Sequence, residues 1–133
     1  MRIGADYYPE HWEKERWKTD AEMMVKANIK VIRIGEFAWS LYEPEEGKYE
    51  FDWMDEALDF FGKYGIKVVM CTPSATPPKW MIDKYPDILQ NDIHGNPKLF
   101  GTRKHYCFNS ETYREKTKKL NTLIAKRYAK HPA

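Results

Sequence analysis

The chain has 133 residues, 42% of them hydrophobic, which is enough for one domain with a real core, and its formal charge is +2. So small an imbalance excludes the basic excess that nucleic acid or an anionic membrane surface would call for. Two cysteines make no disulfide framework, and no apolar run approaches a membrane span. A strand is expected directly after Met1, so no signal peptide is expected, and the setting implied is cytoplasmic and reducing. The aromatic share is high at 15%, and flat rings with polar tips suit sugar or peptide ligands.

Ile3 to Ala5 reads as a first strand, running into Asp6-Tyr7-Tyr8-Pro9-Glu10-His11-Trp12, where Pro9 breaks it. Trp17, Ala21, Met24 and Val25 recur at helical spacing and predict a helix over about Glu13 to Asn28, with Asn28 as its breaker. β-branched Val31, Ile32 and Ile34 predict the second strand, which Gly35 ends. Arg33, Glu36 and Trp39 crowd its carboxyl end, where α/β folds keep their chemistry. A structural ion pair with Trp39 as core explains the same residues equally well.

Ser40 to Glu50 reads as a loop with Pro44 and Gly47 as turn residues. Asp52 is placed to cap a helix whose stripe is Met54, Leu58 and Phe61 and which Gly65 stops. Lys67 to Cys71 is the third strand, with Cys71 expected in the core. Ile29-Lys30-Val31 and Ile66-Lys67-Val68 echo each other at the same helix-to-strand junction, the βα rhythm of a parallel sheet.

Thr72 to Ser110 is too long for a structureless loop. Thr76-Pro77-Pro78 predicts a short helix over Lys79 to Lys84, and a small hairpin is expected over Ile88 to Phe100, turning near His94-Gly95-Asn96. Ser110 caps a long last helix striped by Tyr113, Thr117, Leu120, Ile124 and Tyr128. Its many lysines and arginines lie mostly off that stripe, as a solvated face does. The chain stops at Ala133, where a fourth strand is expected to begin.

Strand ends thus carry Asp6, Tyr7, Glu10 and His11, then Arg33, Glu36 and Trp39, then Thr72 and Ser74 with Arg103, His105 and Asn109 on the long loop. Carboxylate, guanidinium and amide groups with nearby rings are what bridges sugar hydroxyls and covers sugar C–H faces. No glycine-rich phosphate loop follows any strand, which counts against a nucleotide fold. Bland roles compete for several of these residues. Asp6 and Glu10 are expected to cap backbone at a strand-to-helix turn and not to form a catalytic pair. His11 is expected to pack on Trp12, and Trp39 and Trp80 are either the floor of a sugar site or core.

Four stretches together carry a family likeness: Asp6 to Trp12, Arg33-Ile34-Gly35-Glu36-Phe37-Ala38-Trp39, Thr72 to Trp80 and Arg103-Lys104-His105-Tyr106-Cys107-Phe108. Across essentially its whole length the chain resembles the amino-terminal part of the family 42 glycoside hydrolases, the β-galactosidases. The resemblance implies the first part of a (β/α)₈ barrel, about three βα units plus a long βα loop within residues 1–133. It implies retaining hydrolysis of terminal β-galactosides by two carboxylates about 5–5.5 Å apart.

In that family the acid/base Glu follows the fourth strand in an Asn-Glu pair, and the nucleophile Glu follows the seventh. Neither is expected in this chain, so its catalytic residues are none, and it is expected to be inactive alone. By motif match Arg103 is the family's sugar-binding arginine, and Arg33 and Glu36 line the same pocket. Cys107 matches a cysteine that binds structural zinc in many members with three further cysteines. One thiolate makes no tetrahedral site, so an ordinary loop thiol is the expectation here, and no cofactor is required for catalysis. The partners implied are a β-galactoside and either the missing barrel half or further copies of the chain. A non-catalytic galactoside-binding or scaffold fragment is the alternative.

Overall fold

The structure is a computed structural model that describes residues 3–101 and 104–133. Three strands occur among the described residues, β1 (Ile3–Asp6), β2 (Ile29–Ile34) and β3 (Lys67–Met70), all parallel in the order β1-β2-β3. The helices are α1 (Lys14–Lys26), α2 (Trp39–Tyr42), α3 (Asp52–Lys63), α4 (Lys79–Lys84) and α5 (Glu111–Tyr128). The chain divides into two compact units, one of Met1–Glu36, Glu50–Cys71 and His131–Ala133, the other of Phe37–Tyr49 and Thr72–Lys130.

The first unit holds the sheet with α1 and α3. Side chains alternate across a strand, so β2 sends Ile32 and Ile34 one way and Val31 and Arg33 the other. Ile32 and Ile34 are fully buried, together with Trp17, Ala21 and Met24 of α1 and Met54, Ala57, Leu58 and Phe61 of α3. Parallel strands joined in sequence order by right-handed crossovers put the crossover helices α1 and α3 on the same face. That is the winding of a barrel and not of a doubly wound sheet, whose strand order reverses. The opposite face carries Asp6, Arg33 and Val69 in one row of register, and Val69 is 52% exposed there. Gly4 is needed at the register step between Ile3 and Gly4, since a Cβ there would stand 3.0 Å from the Val31 carbonyl oxygen.

β2 begins at Ile29, two residues before the β-branched run, because Ile29 already pairs with Ile3. Asn28 ends the first crossover in the left-handed region at φ 57°, the conformation a helix breaker of its type supplies. Asp52 is the first residue of α3 and not its cap; Phe51 holds that position without a side-chain bond, and Asp52 with Asp55 charges the first turn instead. Val25 of α1 is 41% exposed, so the stripe of that helix is narrower than its spacing predicts.

The second unit is built on aromatics and short helices. The one-turn helix α2 stands where sequence reading gives only loop, and it buries Trp39 and Tyr42. α4 falls where Thr76-Pro77-Pro78 predicts it, although Thr76 donates its hydroxyl to the Phe37 carbonyl and does not cap. The small hairpin is present as the antiparallel bridge from Asn91 to Pro97, with Asp92 accepting from the His94 and Asn96 amides, and a further antiparallel bridge joins Leu89 to Tyr106, beyond the expected end at Phe100. Ser110 caps α5 by accepting from the Tyr113 amide at 3.2 Å, and Tyr113, Leu120 and Ile124 are its buried stripe.

Glu46 ties this unit together. Its carboxylate takes the Lys84 and Lys116 ammonium groups and the Tyr85 hydroxyl, the last at 2.8 Å, so the loop before α3 is bonded to α4 and α5. Lys116 and Lys84 beside it hold its carboxyl down at about 2 against an ordinary value of 4.5. The unfolded chain therefore binds a proton at Glu46 before the folded chain does. The stability this carboxylate contributes is complete above about pH 4.5 and is lost as the pH falls through about 2. Denaturant midpoints of the wild type are expected to fall steeply between pH 4.5 and 2, and Glu46→Gln to flatten that fall. Equal pH dependence in both proteins would exclude Glu46 as its source.

Candidate functional site

The polar cluster of the first unit lies at the carboxyl ends of its three strands. Pairing sets Asp6 opposite Arg33 and Arg33 opposite Val69, and the Cys71 amide continues the ladder to the Ile34 carbonyl at 2.9 Å. Cys71 follows Val69 by two residues, so its side chain emerges on the same face as Arg33. Gly35, at φ 82°, then turns the chain off β2 in a conformation that suits glycine, and this brings Glu36 back beside Arg33.

Arg33 is the hub. Its Nε donates to Asp6 Oδ1 at 2.7 Å and its Nη2 to Asp6 Oδ2 at 3.0 Å, a two-pronged fork. The same Nη2 donates to Glu36 Oε2 at 2.8 Å, and Nη1 donates to the Cys71 sulfur at 3.5 Å. The Tyr8 hydroxyl donates to Glu36 Oε2 at 3.3 Å. Among the described residues four of the five guanidinium N–H groups are committed, leaving one on Nη1, and Glu36 Oε1 likewise accepts from none of them.

Charges follow from this wiring. The Arg33 hydrogen bonds hold the Asp6 carboxyl below its usual range, and the two carboxylates raise Arg33 further above an already high value. Burial pushes the Cys71 thiol up more than the nearby guanidinium lowers it. Desolvation, then Glu36, raises the Tyr8 hydroxyl. Asp6 is thus held ionised as an acceptor, and Glu36 is engaged as an acceptor through Oε2. Among the described residues the cluster offers one unengaged N–H on Arg33 and one unengaged carboxylate oxygen on Glu36.

The other residues singled out in the sequence fall elsewhere. Arg103 lies outside the described residues. Asp6 and Glu10 do not cap: the 3₁₀ turn Pro9–His11 has no side-chain cap, Asp6 serves Arg33, and the Glu10 oxygens are enclosed with no partner among the described residues. Burial raises the Glu10 carboxyl accordingly. Tyr7 is buried and donates to Asp20 at 2.9 Å. His11 stacks on Tyr8 at 5.2 Å, and Trp12 lies under the Arg16 guanidinium, so these two do not pack as expected.

Within the second unit Trp39 is wholly buried, with its Nε1 donating to Glu43 Oε2 at 3.0 Å, and it is core, not a sugar floor. Trp80 is half-buried and donates to the Glu43 carbonyl. Cys107 is a half-buried free thiol. No group of three or more His, Cys, Asp or Glu able to hold a metal occurs among the described residues.

Sequence reading missed Tyr8 and Cys71 as members of the cluster. Tyr8 was overshadowed by its neighbours in an aromatic run, and Cys71 was assigned to the core. The spacing from Val69 was the available signal for Cys71, but it becomes readable only once the register of β3 against β2 is known.

The family model described as beta-galactosidase, that of glycoside hydrolase family 42, matches residues 6–133. The chain belongs to this family. A beta-galactosidase of Thermus thermophilus is 54% identical over 126 residues, a match covering 95% of this chain and 20% of that protein. BgaH of Haloferax lucentense, a beta-galactosidase, is 48% identical over 132 residues, or 99% of this chain and 20% of that protein. The crystal structure of a beta-galactosidase from the psychrophilic Marinomonas ef1 matches with a TM-score of 0.96 at 47% identity, covering 100% of this chain and 20% of that one. This family 42 chain therefore spans about one fifth of the length of the relatives it matches, and its fold is the amino-terminal portion of their (β/α)₈ barrel. Among its described residues no helix is long and apolar enough to cross a membrane.

Proposed function

We propose that this chain forms one wall of the galactose pocket of a retaining β-galactosidase that hydrolyses terminal β-galactosides. The observation carrying the proposal is the Asp6–Arg33–Glu36 array at the carboxyl ends of two neighbouring parallel strands, β1 and β2. A barrel keeps its chemistry at that end of its strands. Arg33 gives one N–H to a sugar hydroxyl and Glu36 Oε1 accepts from another, with Arg103 as the second guanidinium of the pocket. Holding the ring in a fixed pose is what lets the two catalytic carboxylates, about 5–5.5 Å apart, act on one anomeric carbon. In this reading both of those carboxylates come from later strands, so residues 1–133 contain no catalytic residue.

The two-carboxylate chemistry asks for no cofactor. Cys107 is proposed as an ordinary thiol unless cysteines from outside residues 1–133 join it on zinc. The partners are the galactoside and the remaining barrel strands, or a second copy of the chain where those strands are lacking. A cytoplasmic setting belongs to the same proposal and rests on the cysteine count. A nitrophenyl β-galactoside is the test. The protein completed by the rest of its barrel is expected to release nitrophenol, and the 133-residue chain alone to release none. Turnover by the chain alone would place a general acid within it and overturn the division of labour proposed here.

A further inference from the structure

We infer that Asp6 is a positioning residue for this pocket, fixing the Arg33 guanidinium so that its last free N–H has a single direction. The inference rests on the galactoside reading above and adds to it a residue that does not itself touch the sugar.

A guanidinium held by one hydrogen bond can still rotate about that bond. Held by two parallel bonds to one carboxylate, it is fixed in plane and in azimuth. Asp6 supplies that pair, with Nε to Oδ1 at 2.7 Å and Nη2 to Oδ2 at 3.0 Å. Glu36 closes a second side at 2.8 Å and the Cys71 sulfur a third at 3.5 Å. The remaining Nη1 N–H is therefore aimed by exclusion, and among the described residues Asp6 is the partner that contacts two nitrogens.

Among the described residues Arg33 is the side-chain partner of Asp6. The 3₁₀ turn that follows takes no side-chain cap, and the Tyr7 amide after Asp6 is bonded to the Arg33 carbonyl at 3.0 Å. It is also no candidate for the proton donor, because a carboxylate with both oxygens on a guanidinium is held ionised. What removing it changes is the freedom of Arg33. Without Asp6 the guanidinium keeps one bond to Glu36 and the long contact to the Cys71 sulfur, loses its two-point hold and spreads its N–H groups over several directions. A sugar hydroxyl then meets a donor that must be reoriented on binding, which weakens the pocket's grip.

The test is Asp6→Asn in the protein completed by the rest of its barrel, with a nitrophenyl β-galactoside as substrate and free galactose as competitor. KM and the galactose inhibition constant are each expected to rise about 10-fold or more, the scale at which misplaced binding groups act. Asp6→Glu keeps the charge and can re-form the fork, so it is expected to recover part of the loss. A role confined to folding would lower the active fraction, and hence apparent kcat, with KM and the inhibition constant unmoved in both variants. That result overturns the inference. An unsubstituted protein without turnover on any galactoside would instead bring down the galactoside reading, and this inference with it.

Discussion

Exchanging Arg33 for lysine in the completed protein is expected to lower kcat/KM for a nitrophenyl β-galactoside by about 100-fold. Lysine keeps the positive charge but not the fork. Its three donors radiate from one nitrogen, whereas Arg33 reaches both oxygens of Asp6, one of Glu36 and the Cys71 sulfur from three nitrogens. A lysine ammonium near Asp6 leaves Glu36 under-engaged, and near Glu36 it leaves Asp6 without its two-point partner. In either place the N–H proposed to meet the sugar is lost. Two carboxylates that shared one delocalised cation then repel one another across the strand ends. The melting temperature is expected to move little, because Arg33 is half-exposed and its neighbours Ile32 and Ile34 carry the packing. A kcat/KM within about threefold of wild type would show that the guanidinium shape is irrelevant and would remove the array from the pocket.

Sequence reading left two roles open for Arg33 and Glu36, a structural ion pair or a binding site. The structure shows the ion pair, and among the described residues it leaves one Arg33 N–H unengaged, which is the donor the proposed binding role uses. The sheet order was within reach of the sequence because local signals agreed with it: the β-branched run of β2, the repeat at Ile29 and Ile66, Asn28 and Gly65 in left-handed turns, and Ser110 on the Tyr113 amide. What escaped depends on pairing or on satisfaction at a distance. Whether Cys71 faces the helices or the open side follows from the register of β3 against β2, which composition does not contain.

Trp39 was a candidate floor for a sugar because an indole has a polar tip. Its burial hinges on whether that tip is satisfied inside, and Glu43, one helical turn on, satisfies it. A helix of a single turn shows too few residues for any periodicity, so α2 was invisible. The expected caps at Asp6 and Glu10 failed for a different reason: the 3₁₀ turn between them satisfies its own amides, through His11 to the Tyr8 carbonyl and Trp12 to Pro9. Asp6 was thereby released to Arg33, and Glu10 was enclosed without a partner among the described residues.

The second large effect is on stability. Phe61→Ala is expected to cost about 3–5 kcal/mol, the range for emptying a buried phenylalanine site. Phe61 is wholly buried under the sheet. It meets the Tyr7 ring edge-on at 5.2 Å and Phe60 edge-on at 5.4 Å, and lies tilted against Trp17 at 6.1 Å. Those rings come from the end of β1, from α3 itself and from α1, so one side chain joins three elements. Its own helix also ends beside it, where the Ile66 amide returns to the Phe61 carbonyl at 3.2 Å and leads the chain into β3. The cavity left by alanine is walled by aromatic rings and backbone that cannot all shift inward, so little of the loss is recovered by collapse. Set against a total stability of about 5–15 kcal/mol for a natural domain, such a loss removes about a fifth or more of what holds the fold. Phe60→Ala, one residue away and half-buried, is the control and is expected to cost clearly less. Denaturant unfolding of the two variants side by side reads the difference. Equal midpoints would mean that Phe61 is not the keystone of this unit, and a Phe61→Ala loss below about 1 kcal/mol would mean that the ring cluster repacks freely.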